Sequence, residues 1–254
     1  MSSAVHDVLI VGAGIVGATC AYQCAREGMR VAVIDRSMAG GGATAAGMGH
    51  VVVMDDSEAQ FALTRYSRQL WQEIRSELPD QVEYEQCGTI WVAADDEEMM
   101  EVKRKESFYQ KRGVATEVIG PSTLEKYEPH LRKGLAGGLV VPEDGVLYAP
   151  CAAKFFLERA KALGAQVDLG SAVLKLRNGC VTTANTVFSS GIVVNAAGTW
   201  AAELTPGLNI KKRKGHLLIT DRYPDFIKHQ LVELGYLKSA HSTTADSVAF
   251  NLQP

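Results

Sequence analysis

Three unbroken apolar runs, at residues 8–11, 31–34 and 192–194, have the pattern of strands buried on both faces. Between the first two, positions 18–27 keep helical spacing and Gly28 stands as a C-terminal cap. A second helical pattern opens where Ser57 and Gln60 make a capping box. Its apolar positions are Leu63, Tyr66, Leu70, Ile74 and Leu78, and Pro79 stops it. A third begins at Pro150, with Ala153, Phe156, Leu157, Ala160 and Leu163 on one face and Gly164 as cap. From 82 to 141 the pattern changes to strand-like stretches at 82–84, 89–93, 116–119 and 135–141. These are broken by an acidic helix start at 95–98 and a second capping box, Ser122 with Glu125.

Strand patterns at 167–169, 173–176 and 192–194 return the chain to its first sheet. The expected architecture is therefore α/β: a discontinuous βαβ domain over 1–83 and 147–212, with an inserted α+β antiparallel-sheet domain over 84–146 and 213–254. No internal repeat or low-complexity segment interrupts it.

Candidate chemistry begins where the first strand breaks into Gly12-Ala13-Gly14-Ile15-Val16-Gly17 and a helix follows. Gly12 permits a sharp turn out of the strand. Gly14 leaves the main chain open to a pyrophosphate, and Gly17 lets helix and strand pack closely. The first-turn N–H groups of the helix and its dipole favour phosphate. Asp35 closes the second strand eighteen residues after Gly17, placed to accept hydrogen bonds from both hydroxyls of an adenosine ribose. A 2′-phosphate would be repelled there, which argues against NADP. The alternative is a purely structural glycine turn, and against it stands the strand–helix–strand context.

Residues 40–49, GGGATAAGMG, are small throughout and suit a backbone passing a second planar group. With the glycine fingerprint and the VVNAAGTW stretch at 193–200, this resembles the D-amino-acid oxidase (DAO) type family of FAD-dependent oxidoreductases. The runs ATAAGMGH, CGTIWVAADDEE and GYLKSAHS look most like its branch of glycine oxidases and D-hydroxyproline dehydrogenase flavoprotein subunits. The resemblance implies a Rossmann-like domain holding FAD non-covalently and a domain facing a small amino or imino acid. It adds Arg36, Gly42, Ala43, Thr44, Ala46, Gly47, Met48, Val173, Ala197, Gly198 and Trp200 to the cofactor-binding set. It implies oxidation of a substrate C–N bond by hydride transfer to flavin, with electrons passing to a partner subunit. His50, directly after the small-residue loop, is the one titratable group that the sequence places near the flavin, a weak catalytic candidate, with a partly buried structural histidine the preferred reading. Two other readings stand beside this one: a non-catalytic remnant that binds FAD or a partner subunit, and an NAD-dependent dehydrogenase.

Composition adds exclusions. Charged residues make up 22% and the formal net charge is −3, from 26 basic and 29 acidic side chains, so nothing favours nucleic acid as a partner. No apolar run reaches the length of a membrane span and no basic region precedes the first one, so neither a transmembrane segment nor a signal peptide is expected. The five cysteines lack metal spacing and read as free thiols of a cytoplasmic protein, Cys20 and Cys24 lying in or beside the helix packing face. The acidic group at 95–98 reads as a helix start in preference to a metal site. The cationic run at 211–214 reads as a solvated strand edge in preference to a phosphate site, and 215–219 resembles the family's crossover strand. The alternation at 247–251 is not closed by a turn, and members of the resembled family continue further. The expectation is a chain shorter than the family fold, without the arginine that usually grips the substrate carboxylate.

Overall fold

The computed structural model describes residues 5–177, 179–212, 214–235 and 251–254. In chain order the elements are β1 (Val5–Val11), α1 (Ile15–Arg26), β2 (Val31–Asp35), β3 (His50–Val51), α2 (Glu58–Ile74), β4 (Thr89–Ala93), α3 (Asp96–Gln110), β5 (Glu117–Ile119), α4 (Pro121–Tyr127), β6 (Gly137–Val141) and β7 (Gly145–Val146). There follow α5 (Ala149–Ala162), β8 (Gln166–Leu169), β9 (Lys175–Arg177), β10 (Cys180–Thr182), β11 (Val187–Asn195), α6 (Ala201–Leu204), β12 (Gln230–Glu233) and β13 (Asn251–Leu252). They fall into two compact units, one of residues 1–49, 78–82 and 148–218, the other of 50–77, 83–147 and 219–254.

The first unit is built on a six-stranded sheet in the order β8-β2-β1-β11-β10-β9. β8, β2, β1 and β11 run parallel, and β10 and β9 continue antiparallel. Leu9, Val11, Ala32 and Ile34 alternate onto one face and pack with Val181 and Phe188. α1 buries only Gly17, Ala18, Ala21 and Ala25, small residues that let a helix approach its neighbours closely. Tyr22 of α1 meets Phe156 of α5 with ring centroids 5.8 Å apart.

The second unit holds a five-stranded sheet in the order β13-β12-β4-β6-β5. It is mixed, because β12 runs parallel to β4 while the other pairs are antiparallel. β4 shows the period of two plainly. Trp91 and Ala93 join Val102 and Tyr109 of α3 on one face, and Ile90 and Val92 join Leu124 of α4 on the other. α3 opens with a reciprocal cap: Asp95 accepts from Glu98 N at 2.9 Å and Glu98 accepts from Ala94 N at 2.7 Å. The acidic start at 95–98 therefore works as a helix terminus.

Several expectations need correction. Residues 50–77 cluster with the second unit, away from the expected boundary at 83, because Phe61 of α2 packs against Phe108 and Tyr109 of α3. α2 has the expected Ser57 cap, but Leu63, Tyr66 and Leu70 are exposed. Its buried positions are Phe61 and Arg68, the latter paired with Asp144 at 2.8 Å and Glu143 at 2.7 Å. The stretch 82–84 is not a strand: a 3₁₀ turn covers Asp80–Val82, and a lone bridge joins Glu85 to Val146. α4 has Gly120 at its N-cap and no side-chain cap, since Pro121 takes the first turn and Glu125 pairs with Lys133 at 3.0 Å. Leu163 lies past the end of α5 and is exposed, and Ile192 is half exposed within β11. Cys20 and Cys24 are partly exposed on α1. Residues 215–219 form no strand, and Leu218 and Ile219 face solvent. The expectations for Arg213 and for residues 236–250 lie outside the described residues. No helix among the described residues is long and apolar enough to cross a membrane.

Candidate functional site

A cavity of about 590 Å³ opens in the first unit beyond the carboxyl ends of β1, β2 and β11, where Val11, Ile34 and Ala196 line it. That is the position at which open parallel sheets offer a crevice. The loop after β1 is shaped by close approaches. Gly12 has φ +112°, and its N–H donates to the Ile34 carbonyl at 2.8 Å. A Cβ there would meet the Ala196 oxygen at 2.3 Å, and one on Gly17 would meet the Gly12 oxygen at 1.9 Å. Glycine is thus imposed at both positions by backbone packing.

Gly14 is different. A Cβ there would touch only the Thr44 hydroxyl, at 2.9 Å, and the residue faces the cavity. It is also the N-cap of α1 and offers no capping side chain. Ile15 N–H donates to Thr44 Oγ1 at 3.0 Å, so one first-turn amide is held within the protein. The rest of that turn has no intrahelical acceptor by geometry, and the helix dipole gives it positive character.

Asp35 is tied on both oxygens: Oδ2 accepts from Ala13 N at 2.6 Å and Oδ1 from Ser37 N at 2.8 Å. Two amides fix the carboxylate's orientation at the cavity wall and leave each oxygen a further lone pair. Beside it, the Arg36 guanidinium lies over the Trp200 ring, 4.8 Å from the centroid.

Of the residues singled out in the sequence, Gly12, Gly14, Ile15, Val16, Asp35, Arg36, Gly42, Ala43, Thr44, Val173, Ala197, Gly198 and Trp200 line this cavity. Ala13 and Gly17 do not; they are buried and shape the loop from behind. Ala46, Gly47 and Met48 continue the turn beyond Thr44 and are not in the lining. The lining also holds residues that the sequence did not single out as cofactor-binding: Val11, Ile34, Ser37 and Gly41, and, later in the chain, Ala172, Ala196, Thr199, Glu203 and Leu204. Their one signal was membership of, or adjacency to, the strands, loops and VVNAAGTW stretch that carry the predicted residues.

His50 does not line the cavity. It lies in the second unit, on β3, paired with Val146 of β7. Burial pushes its imidazole down from 6.5 to about 4, against a weaker opposing contact with Gln253, so it is neutral at pH 7. Because the folded-state value is depressed, this contribution to stability is fully present above 6.5 and is lost as pH falls toward 4. The loss is expected to be about 2–3 kcal/mol. Urea denaturation from pH 7.5 to 4 should show it in the wild type and a flatter slope in His50→Gln. Equal slopes would refute the burial argument. Among the described residues no group of three or more His, Cys, Asp or Glu side chains could hold a metal ion.

Comparison with known proteins bears on this cavity. A family model described as DAO, FAD dependent oxidoreductase, matches residues 7–246. Glycine oxidase of Geobacillus kaustophilus is 28% identical over 211 residues, which is 78% of this chain and 56% of that protein. Hydrogen cyanide synthase subunit HcnC of Pseudomonas aeruginosa is 26% identical over 271 residues, covering 86% of this chain and 65% of that one. Among solved structures, L-proline dehydrogenase from P. horikoshii aligns with a TM-score of 0.77 and 25% identity, over 91% of this chain and 65% of that one. The chain therefore spans between about half and two thirds of the length of these relatives.

Proposed function

The chain belongs to the DAO family of FAD dependent oxidoreductases, and on that premise we propose that its glycine-lined cavity binds FAD non-covalently for oxidation of a small amino or imino acid at its C–N bond. The observation that carries the reading is the Asp35 carboxylate, fixed by the Ala13 and Ser37 amides, in the same cavity lining as Gly14 at the start of α1. In this reading Asp35 accepts the adenosine ribose hydroxyls, and the first turn of α1 with the Thr44 hydroxyl holds the pyrophosphate. Arg36, Gly42, Ala43, Val173, Ala197, Gly198 and Trp200 enclose the adenosine and the start of the flavin. Ala13 and Gly17 support the loop, and Ala46, Gly47 and Met48 carry the chain on toward the flavin. None of the five cysteines lines the cavity.

FAD, when bound, supplies a two-electron acceptor for hydride leaving the carbon next to nitrogen. The chain's own part is to orient the dinucleotide through fixed amides and one carboxylate. His50, neutral and outside the cavity lining, is given no proton-transfer role. The names of the relatives suggest glycine- or proline-like substrates. HcnC, by its name a subunit, suggests an electron-accepting partner chain.

The test is titration of the purified chain with FAD and NAD, followed by anaerobic addition of glycine, L-proline or D-hydroxyproline. FAD is expected to bind, acid precipitation to release all yellow colour, and one of these substrates to bleach the flavin bands. Asp35→Ala should weaken FAD binding by about 1–3 kcal/mol. Tighter binding of NAD, or unchanged affinity in Asp35→Ala, would overturn the assignment.

A further inference from the structure

Lys212 makes contacts that neither a solvated strand edge nor a phosphate site calls for. Its ammonium pairs with the Glu203 carboxylate and lies 5.4 Å from the centroid of the Trp200 ring, the same ring that Arg36 covers at 4.8 Å. Trp200 and Glu203 both belong to the cavity wall, and the ring also packs on Gly42, with Cζ3 at 3.4 Å from the position of a Cβ there. The segment between Glu203 and Lys212 is anchored at its start by Asn195, whose amide donates to the Ala201 carbonyl at 2.9 Å and to Thr205 Oγ1 at 2.8 Å. Beyond Thr205 the chain runs exposed and without regular structure until Lys212 returns it to the wall.

The charges along the cavity make this contact consequential. Its lining residues include two acids, Asp35 and Glu203, and one cation, Arg36. Left to themselves they give a net negative wall, unfavourable to any dinucleotide carrying two phosphates. Lys212 offsets Glu203, and the indole face attracts both cations through its quadrupole.

We propose that Lys212 is a positioning residue for the dinucleotide: with Arg36 it clasps Trp200, neutralises Glu203 and so sets how tightly the cavity retains FAD. This rests on the FAD reading of the cavity. Both members of the ion pair are half exposed, so the effect is moderate and screened by salt.

The experiment measures FAD affinity and dissociation rate by recovery of flavin fluorescence on dilution, at low and high salt. Variants are Lys212→Ala, Lys212→Arg, Glu203→Gln and the double Lys212→Ala/Glu203→Gln. Lys212→Ala should release FAD about 3- to 10-fold faster at low salt, with a smaller defect at high salt. Lys212→Arg should behave as wild type, and the double variant should recover the salt-dependent part of the loss. Tryptophan emission should change in Lys212→Ala without ligand, and that change should be absent when Lys212→Ala is made on a Trp200→Phe background, a readout independent of flavin. Wild-type protein that binds no FAD would overturn the cavity's assignment and this proposal with it. Wild-type protein that binds FAD, with Lys212→Ala unchanged in affinity, rate and emission, would overturn the clasp alone.

Discussion

Gly14→Val is expected to give a folded protein that no longer retains FAD, whereas Gly17→Ala is expected to lose the fold itself. The two glycines share one motif and differ in what surrounds them. At Gly17 an added methyl would sit 1.9 Å from the Gly12 oxygen and 2.9 Å from its carbonyl carbon. Both atoms are backbone of a loop that is itself held against Ala196, so nothing can move aside. Such overpacking costs about 3 kcal/mol or more. At Gly14 the nearest atom is the end of the Thr44 side chain, which can rotate away at the cost of its hydrogen bond from Ile15 N–H, about 1 kcal/mol. The valine methyls would then project into the cavity, where the proposed pyrophosphate lies. Affinity should fall at least about 100-fold, close to 3 kcal/mol. Urea denaturation and flavin content, measured on both variants, separate these outcomes. Gly14→Val purifying with wild-type flavin content would place the cofactor elsewhere.

The motif's local chemistry was legible because each part is a short-range signal. An unbroken apolar run, glycines where backbone meets backbone, and an acid at the next strand end all lie within residues 8–35, and the structure joins them. Likewise the Ser57 cap and the alternation of β4 follow from rules of near neighbours. What escaped was set by distant partners. Arg68 sits among polar residues on α2 and reads as surface, yet it is buried because Asp144 reaches it from 76 residues away. The apolar spacing of Leu63, Tyr66 and Leu70 is helical, but spacing alone does not say which face meets the rest of the unit. Glu203 entered the cavity wall through the turn after Trp200, and its partner Lys212 was recognisable only as one member of a cationic run. Charge patterning gave the residues, and tertiary contacts decided their roles.

Lys105 is the extreme case, and its replacement should cost the second unit more than any surface change. It lies in a strongly charged stretch of α3, yet it is fully buried. Its ammonium contacts Asp55 and lies 4.0 Å from the Trp91 ring centroid. Arg104 reaches the other Asp55 oxygen at 2.9 Å, and the Tyr109 hydroxyl donates to the Val53 carbonyl at 3.2 Å. This network pins the chain between β3 and α2 to α3. Burial draws the Lys105 ammonium below its ordinary value, and Asp55 opposes it. Burial raises the Asp55 carboxyl too, but Lys105 and Arg104 outweigh it and hold the group below the usual carboxylate range. Lys105→Met keeps the stem's volume and removes the charge, leaving a buried carboxylate with only the half-exposed Arg104 as a charged partner and a long contact to the Tyr109 hydroxyl. The expected loss is about 3–5 kcal/mol at pH 7. In the double variant Lys105→Met/Asp55→Leu most of that loss should be recovered, because no buried charge is left unpaired. The sign with pH follows from the depressed Asp55 value. Its contribution is complete above the unfolded value near 3.8 and disappears as pH falls through the lower folded value. Wild type and Lys105→Met should therefore begin to converge in stability only as pH falls below about 3.8, and meet once it is under the lower folded value. Urea denaturation of the three proteins from pH 7 down to about pH 2 tests this, and a difference between wild type and Lys105→Met that stays constant over the whole range would show that Lys105 acts through packing alone.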